Sequence, residues 1–306
     1  MLSFLLRKIL YSILVLVGVV IVTFFIRPPG DPARVILGQR ADEQSLVALR
    51  KKMGLDQPIP IQIAYYFGGL VTGDLGKSTA TERDVVETIA ERFPATALLA
   101  STAMIMATIL GILIGLIASS RPNTWLDSAV MSISLTGISL PAFVVGLLLV
   151  LFFGVALNWF PNSGYVDRGA AHLFLPMLTL AIRPLSIIAR VTRASMLDVL
   201  GSDFVRTARA KGLTETSVFV RHALRNALNP VVTTISAWFA GLLAGTFFVE
   251  YIFNWPGIGL LAFNAIEKLD FPMIQGTVLF TSVIFVLVNI IADLLYAVVD
   301  PKVRLQ

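Results

Sequence analysis

Six apolar stretches of bilayer-spanning length leave this chain few ways to fold. They cover residues 9–26, 96–118, 129–157, 173–190, 231–252 and 273–299. A helix crosses the hydrocarbon core in about 20 residues, and in lipid every backbone amide must be bonded within its own segment. The expected fold class is therefore all-α: a polytopic membrane protein with six transmembrane helices. Only 14% of the residues are charged, against about 25% in ordinary soluble domains. The first stretch reads as a retained span, because it is longer than a signal-peptide core and Arg27-Pro28-Pro29-Gly30 is a poor cleavage site.

Charge sets the orientation. Arg7, Lys8, Arg121, Arg190, Arg193, Arg206, Arg209, Lys211, Arg221, Arg225, Lys302 and Arg304 fall on one side, while the two short loops opposite hold Arg168 and Lys268. Cations gather on the cytoplasmic side, so both termini are expected there. Residues 27–93 form a small extracytoplasmic subdomain after the first span, turned by Gly30-Asp31-Pro32, with helices over 42–52 and 84–93. The expected domains are 1–26, 27–93 and a five-helix core over 94–306. The net charge of +5 follows from this asymmetry and does not point to nucleic acid. The chain has no Cys, and His172 and His222 lie far apart, so disulfides, thiolate chemistry and a His-based metal site are not expected. No Ser/His/Asp or metal-spaced cluster suggests an enzyme.

Several residues inside the spans stand out. Ala107, Gly111 and Gly115, and again Ala237, Gly241 and Gly245, repeat at four-residue spacing and are expected to be helix-packing seams. Pro141, preceded by Ser139, should bend the third span, to shape a pore or merely to kink a packed helix. Arg183 lies deep in the fourth span, lining a path or contacting Glu250 or Asp293. Asn289, Asp293 and Tyr296 fall in the sixth. Gly73 to Thr79 imitates a phosphate-binding loop, but Val71 stands where the first glycine is required. The Gly-x-Gly-x-x-Ala run from Gly257 opens no βαβ unit, so it is not a dinucleotide fingerprint.

Residues 202–230 are the long polar segment of the second half. They read as two short helices parted by Gly212, a residue that takes a left-handed turn freely. Asp203 and Thr214 are the expected caps. In the second helix Val220, Leu224 and Leu228 form a stripe, with Arg221 and Arg225 on a neighbouring face. A cytoplasmic projection of this kind suits the passing of force to a soluble partner, and suits equally a plain cationic anchor.

The run Arg206-Thr207-Ala208-Arg209-Ala210-Lys211-Gly212, with the Arg-His-Ala-Leu-Arg-Asn-Ala-Leu-Asn-Pro run from Arg221 to Pro230, resembles the "EAA loop" of ABC-importer permeases. It is similar to the dipeptide/oligopeptide/nickel subfamily, and to the first of its two permease subunits. Gly30-Asp31-Pro32-Ala33, Gly54-Leu55-Asp56-Gln57-Pro58, Ile138 to Phe143 and Phe253 to Gly259 resemble the same subfamily. Arg206 and Thr207 stand where the general motif has Glu and Ala; Ala208 and Gly212 keep their places. The resemblance implies cytoplasmic coupling helices between spans four and five, with Asp203, Arg206, Thr207, Ala208, Arg209, Ala210, Lys211 and Gly212 facing ATPase subunits. It implies a second homologous permease, two ABC ATPases carrying ATP and Mg, and an extracytoplasmic solute-binding protein. This chain itself would hold no cofactor, metal or catalytic residue. Ser139, Pro141, Arg183 and Asn289 are candidates for the translocation path.

The leading expectation is an ATP-driven importer of di- or oligopeptides in the cytoplasmic (inner) membrane, with glutathione or a nickel complex as alternative cargo. A proton-coupled carrier using Glu250 and Asp293, and a membrane scaffold without solute flux, are the competing classes.

Overall fold

A computed structural model describes residues 2–25, 32–38, 42–52 and 56–299, with the side chains of Asp293 and Tyr296 among those outside the description. The expected turn at Gly30-Asp31, the Gly54-Leu55 stretch and the cationic tail at Lys302 and Arg304 also lie outside the described residues. Among the described residues the structure is helical, with one isolated antiparallel bridge between Lys77 and Asp84. The chain divides into two compact units. One comprises Met1–Thr96, Ala244–Tyr251 and Trp255–Val286; the other comprises Ala97–Leu243, Ile252–Asn254 and Leu287–Gln306.

In the first unit, α1 (Leu2–Phe25) is followed by α2 (Pro32–Leu37), α3 (Glu43–Lys52) and α4 (Ile59–Thr72). Asp42 accepts from the Ser45 amide at 2.9 Å and so caps α3. Helix α4 was not expected from the sequence. Its signal is Pro58-Ile59-Pro60, since a proline in the first turn needs no amide partner. The phosphate-loop imitation is a turn after α4. Its Ser78 hydroxyl and its Thr79 amide and hydroxyl donate to the carboxylate of Asp270, at 2.5, 3.0 and 3.2 Å. The core gathers Val85, Ile89, Ile258, Ala265 and Met273. Phe93 and Phe280 meet edge to face at 5.1 Å beside it.

Helix α5 (Val85–Ser120) runs unbroken through Pro94, joining the expected 84–93 helix to the second span. It supplies the start of the second unit, with α6 (Trp125–Ser139), α7 (Ala142–Leu149, continued as a π-helix over Val150–Ala156), α8 (Ala171–Leu200) and α11 (Arg225–Leu243). The helix expected over 129–157 is broken rather than kinked: its two halves meet at 103°. Leu140, immediately before Pro141, is extended (φ −78°, ψ 131°). The proline ring crowds the preceding residue out of the helical region.

The glycines of α5 let α8 come close. A Cβ on Gly111 would lie 2.8 Å from the Ile188 side chain, and one on Gly115 would lie 2.6 Å from the Ala189 carbonyl oxygen. Within this chain the second expected seam meets no neighbour at Gly241: nothing lies within 4 Å of a Cβ placed there. Gly245 has φ +112° and sits in a break between α11 and α12 (Phe247–Ile252). A continuous helix over 231–252 is therefore replaced by two pieces, because Gly245 takes a backbone conformation no helix contains.

Helix α13 (Ile258–Glu267) and α14 (Phe271–Val299) are the last elements among the described residues. Among the described residues, four helices are long and apolar enough to cross a membrane, or five if the bent pair is one span.

Candidate functional site

Helix α9 (Asp203–Ala210) follows α8 after Gly201 and Ser202. Its cap is Ser202, not Asp203: Ser202 is extended, and Asp203 is the first helical residue, paired with Arg206 at 3.4 Å. The Ser202 hydroxyl instead donates back to the Val199 carbonyl at 2.5 Å, so it closes α8. Val205 and Ala208 are buried with Val218 against Val199 and Leu200. Helical spacing leaves Asp203, Arg206, Thr207, Arg209, Ala210 and Lys211 exposed on the other side. Of the eight residues expected on this face, Ala208 alone is buried.

Gly212 has φ +79° and ends the helix, its amide donating to the Arg209 carbonyl at 2.9 Å. A Cβ there would meet nothing within 4 Å, so within this chain the glycine answers a backbone requirement rather than a steric one. Arg209 holds Glu215 through two bonds, 2.9 and 3.2 Å, across that turn. Two apolar side chains on the outer surface escaped the sequence reading: Phe204 is 45% exposed and Leu213 39% exposed. Their signal was position, since both fall outside the Val205–Ala208 stripe.

Thr214 caps the next helix, accepting from the Ser217 amide at 3.4 Å. The expected Val220–Leu224–Leu228 stripe is not the buried one. α10 (Glu215–Ser217) passes into a π-helix over Val218–Leu224 and then into α11. The buried residues are Val218, Ala223, Ala227 and Val231, with Val220 exposed. Their first spacing is five residues, the hydrogen-bond spacing of a π-helix, and the later ones are four. Nor does the helix end near Pro230; it runs on to Leu243. Pro230 has no amide to donate to the Asn226 carbonyl, and both residues are exposed. Met196, Ala223 and Ala227 form a second cluster here, with Leu116, Val199 and Leu200 packed around it.

Ser139 and Pro141 flank the break in the third span, with the Ser139 hydroxyl bonded to the Leu135 carbonyl at 2.9 Å. The α8 turn carrying Arg183 lies beside that end of α6: a Cβ on Gly137 would come within 3.3 Å of Ile182. Arg183 finds its partner in Trp238, with its guanidinium carbon 5.6 Å from the ring centroid. Asn289 is half-buried in α14. Glu250 is fully buried. Its carboxylate accepts from Thr96 Oγ1 at 2.9 Å, the Leu260 amide at 3.1 Å and Thr246 Oγ1 at 3.5 Å.

Comparison with known proteins places this arrangement. Residues 1–100 match the family described as "Binding-prot-dependent transport system membrane comp, N-term". Residues 111–305 match "Binding-protein-dependent transport system inner membrane component". The chain is 44% identical over 306 residues to the glutathione transport system permease protein GsiC of Salmonella choleraesuis (strain SC-B67), covering 99% of each. It is 43% identical, with the same coverage, to GsiC of Escherichia coli (strain K12). In fold it is similar to a chain of the MetNI methionine ABC transporter in an inward-facing conformation. The TM-score is 0.58 at 17% identity, over 70% of this chain and 97% of that one. Matched along nearly its whole length, the chain belongs to the inner-membrane permease components of binding-protein-dependent ABC import systems.

Proposed function

We propose that this permease carries glutathione or short peptides of its size across the inner membrane, driven by ATP hydrolysed on partner subunits. The observation that carries the substrate is the 44% identity to a glutathione permease over 99% of both chains. It moves glutathione ahead of the wider di- and oligopeptide class, to which that tripeptide is chemically close, and ahead of nickel complexes.

In this reading six spans place both termini in the cytoplasm and residues 27–93 outside. The broken α11–α12 stretch serves as the fifth span. The exposed face of α9, from Asp203 to Gly212, docks on an ATPase, with Phe204 and Leu213 adding apolar contacts. A second homologous permease, two ATPases binding ATP and Mg, and an extracytoplasmic solute-binding protein complete the assembly. Ser139, Pro141, Arg183 and Asn289 border the path. Closure of the ATPases favours one arrangement of the spans over the other through contacts that differ between the two.

The test is reconstitution of the purified assembly in liposomes with its binding protein. Radiolabelled glutathione, a dipeptide, a pentapeptide and a nickel complex are offered with and without ATP inside. ATP-dependent glutathione uptake is expected. Uptake of the pentapeptide or nickel alone would overturn the substrate. Uptake driven by a proton gradient without ATP would overturn the mechanism and favour the carrier reading.

A further inference from the structure

We propose that the Asp127–Arg193 ion pair is the link that delivers motion of the α8–α9 corner to α6, and so to the bend at Leu140–Pro141. The proposal rests on the reading of α9 as the ATPase-facing helix, and it assigns positioning roles to two residues that do not belong to that face.

The pair is built from two directions. Asp127 lies in the first turn of α6 and is 3% exposed. Both of its oxygens are taken by Arg193, Nε to Oδ1 at 2.5 Å and Nη2 to Oδ2 at 2.6 Å. Oδ2 also accepts from the Asn123 amide at 3.0 Å. Asn123 has φ +60°, a conformation that asparagine tolerates better than most residues. The α5–α6 turn, the base of α6 and α8 therefore converge on one carboxylate. Two parallel bonds fix angle as well as distance.

Arg193 stands seven residues before the end of α8, about 10 Å along the axis. Beyond it, Val199 and Leu200 pack against both the Val205–Ala208–Val218 cluster and the Met196–Ala223–Ala227 cluster. A push on α9 thus reaches the end of α8 through close packing, which transmits strain rather than absorbing it.

α8 also packs extensively against α6, and closely at Gly137, where a side chain would meet Ser186. On the surface beside that interface lies an open depression of about 340 Å³, lined by Met131, Ile138, Ile187 and Val191, with Arg190 and Arg193 at its edge. Apolar packing holds the two helices together but carries no directional bond. The ion pair at the base supplies one. Loss of the pair would leave the base of α6 held by packing alone, free to lag when α8 moves.

The test uses the complete reconstituted transporter, with ATP hydrolysis and solute uptake measured in the same liposomes. Asp127→Asn and Arg193→Gln are expected to assemble and hydrolyse ATP while the ATP used per solute imported rises about tenfold. The exchange Asp127→Arg with Arg193→Asp is expected to recover most of the wild-type ratio. Because the chain contains no Cys, Asp127→Cys with Arg193→Cys can be bridged by a short thiol cross-linker, and bridging is expected to restore the ratio. Arg193→Lys, which keeps the charge but loses the fork, should fall between.

Unchanged coupling in the single variants, or a bridge that blocks uptake, overturns the proposal. So does failure of every variant to assemble, which would make the pair a folding element. A wild-type assembly without ATP-driven uptake would instead overturn the reading of α9.

Discussion

Glu250→Ala should loosen one loop of this protein by an amount the structure fixes. The carboxylate is the hub of the segment from Phe253 to Phe263. It accepts from Thr96 and Leu260 at 2.9 and 3.1 Å and, more weakly, from Thr246 at 3.5 Å. Thr96 Oγ1 in turn accepts from the Ile258 amide at 2.8 Å, and Trp255 Nε1 donates to the Ala95 carbonyl at 2.8 Å. The backbone comes so close that a Cβ on Gly259 would lie 2.9 Å from Phe247 Cα and 3.0 Å from Glu250 Oε2. Alanine leaves the buried Thr96 hydroxyl and the half-buried Leu260 amide without this acceptor. The buried hydroxyl costs about 1–3 kcal/mol, the half-buried amide less, and the vacated volume adds to it. Glutamine keeps the volume and one acceptor but sets its amide against a donor, at about 1–3 kcal/mol. Wild type, Gln, Ala is the expected order of stability.

Hydrogen exchange followed by mass spectrometry over residues 253–263, in detergent, reads this directly. A loss of about 2 kcal/mol speeds exchange about 30-fold where opening is local. An alanine variant whose amides there exchange at the wild-type rate would refute the hub. The glutamine variant also separates the transport readings. A proton carrier using Glu250 loses all transport with its fold intact, whereas an importer loses transport only in proportion to the loosening.

Two further perturbations follow from the glycines. Gly115→Leu forces a side chain into the Ala189 carbonyl and Thr192; about 1–3 kcal/mol of overpacking should appear as a lower melting temperature in detergent, while Gly241→Leu, with open space around it, should melt like wild type. Gly212→Asp costs about 1–2 kcal/mol for its positive φ and should leave folding yield near normal while abolishing ATP-driven uptake; normal uptake would show that this turn does not meet an ATPase.

What could be read from the sequence was whatever depends on composition over long windows. The spans at 96–118, 173–190 and 273–299 announced themselves because a membrane demands a full apolar length whatever the packing. Pro141 was legible as a bend because its steric effect is local. Its size, 103°, was not, since that depends on what each half packs against. Gly245 looked like a third small residue in a seam, yet its φ of +112° makes it a break. Spacing alone does not separate a glycine chosen for smallness from one chosen for conformation. Gly111 is helical and pressed against Ile188, whereas Gly245 leaves the helix at positive φ.

The site shows the same limit more sharply. A stripe at 220, 224 and 228 is what an α-helix would bury. The chain buries 218, 223, 227 and 231 instead, because the π-turn over Val218–Leu224 inserts one residue into the helix and rotates everything before it by about a quarter turn. The rotation has a use. It turns Val218 under α9, beside Val205 and Ala208, while Ala223 and Ala227 stay beneath α8 at Met196. A regular helix carries one apolar face and could serve only one of these two neighbours. The extra residue gives it a second face within two turns, so the segment grips α9 and α8 together. Deleting the exposed Val220 would restore regular spacing without removing a buried group, and it is the change that tests whether this double grip, rather than any one contact, holds the corner in place.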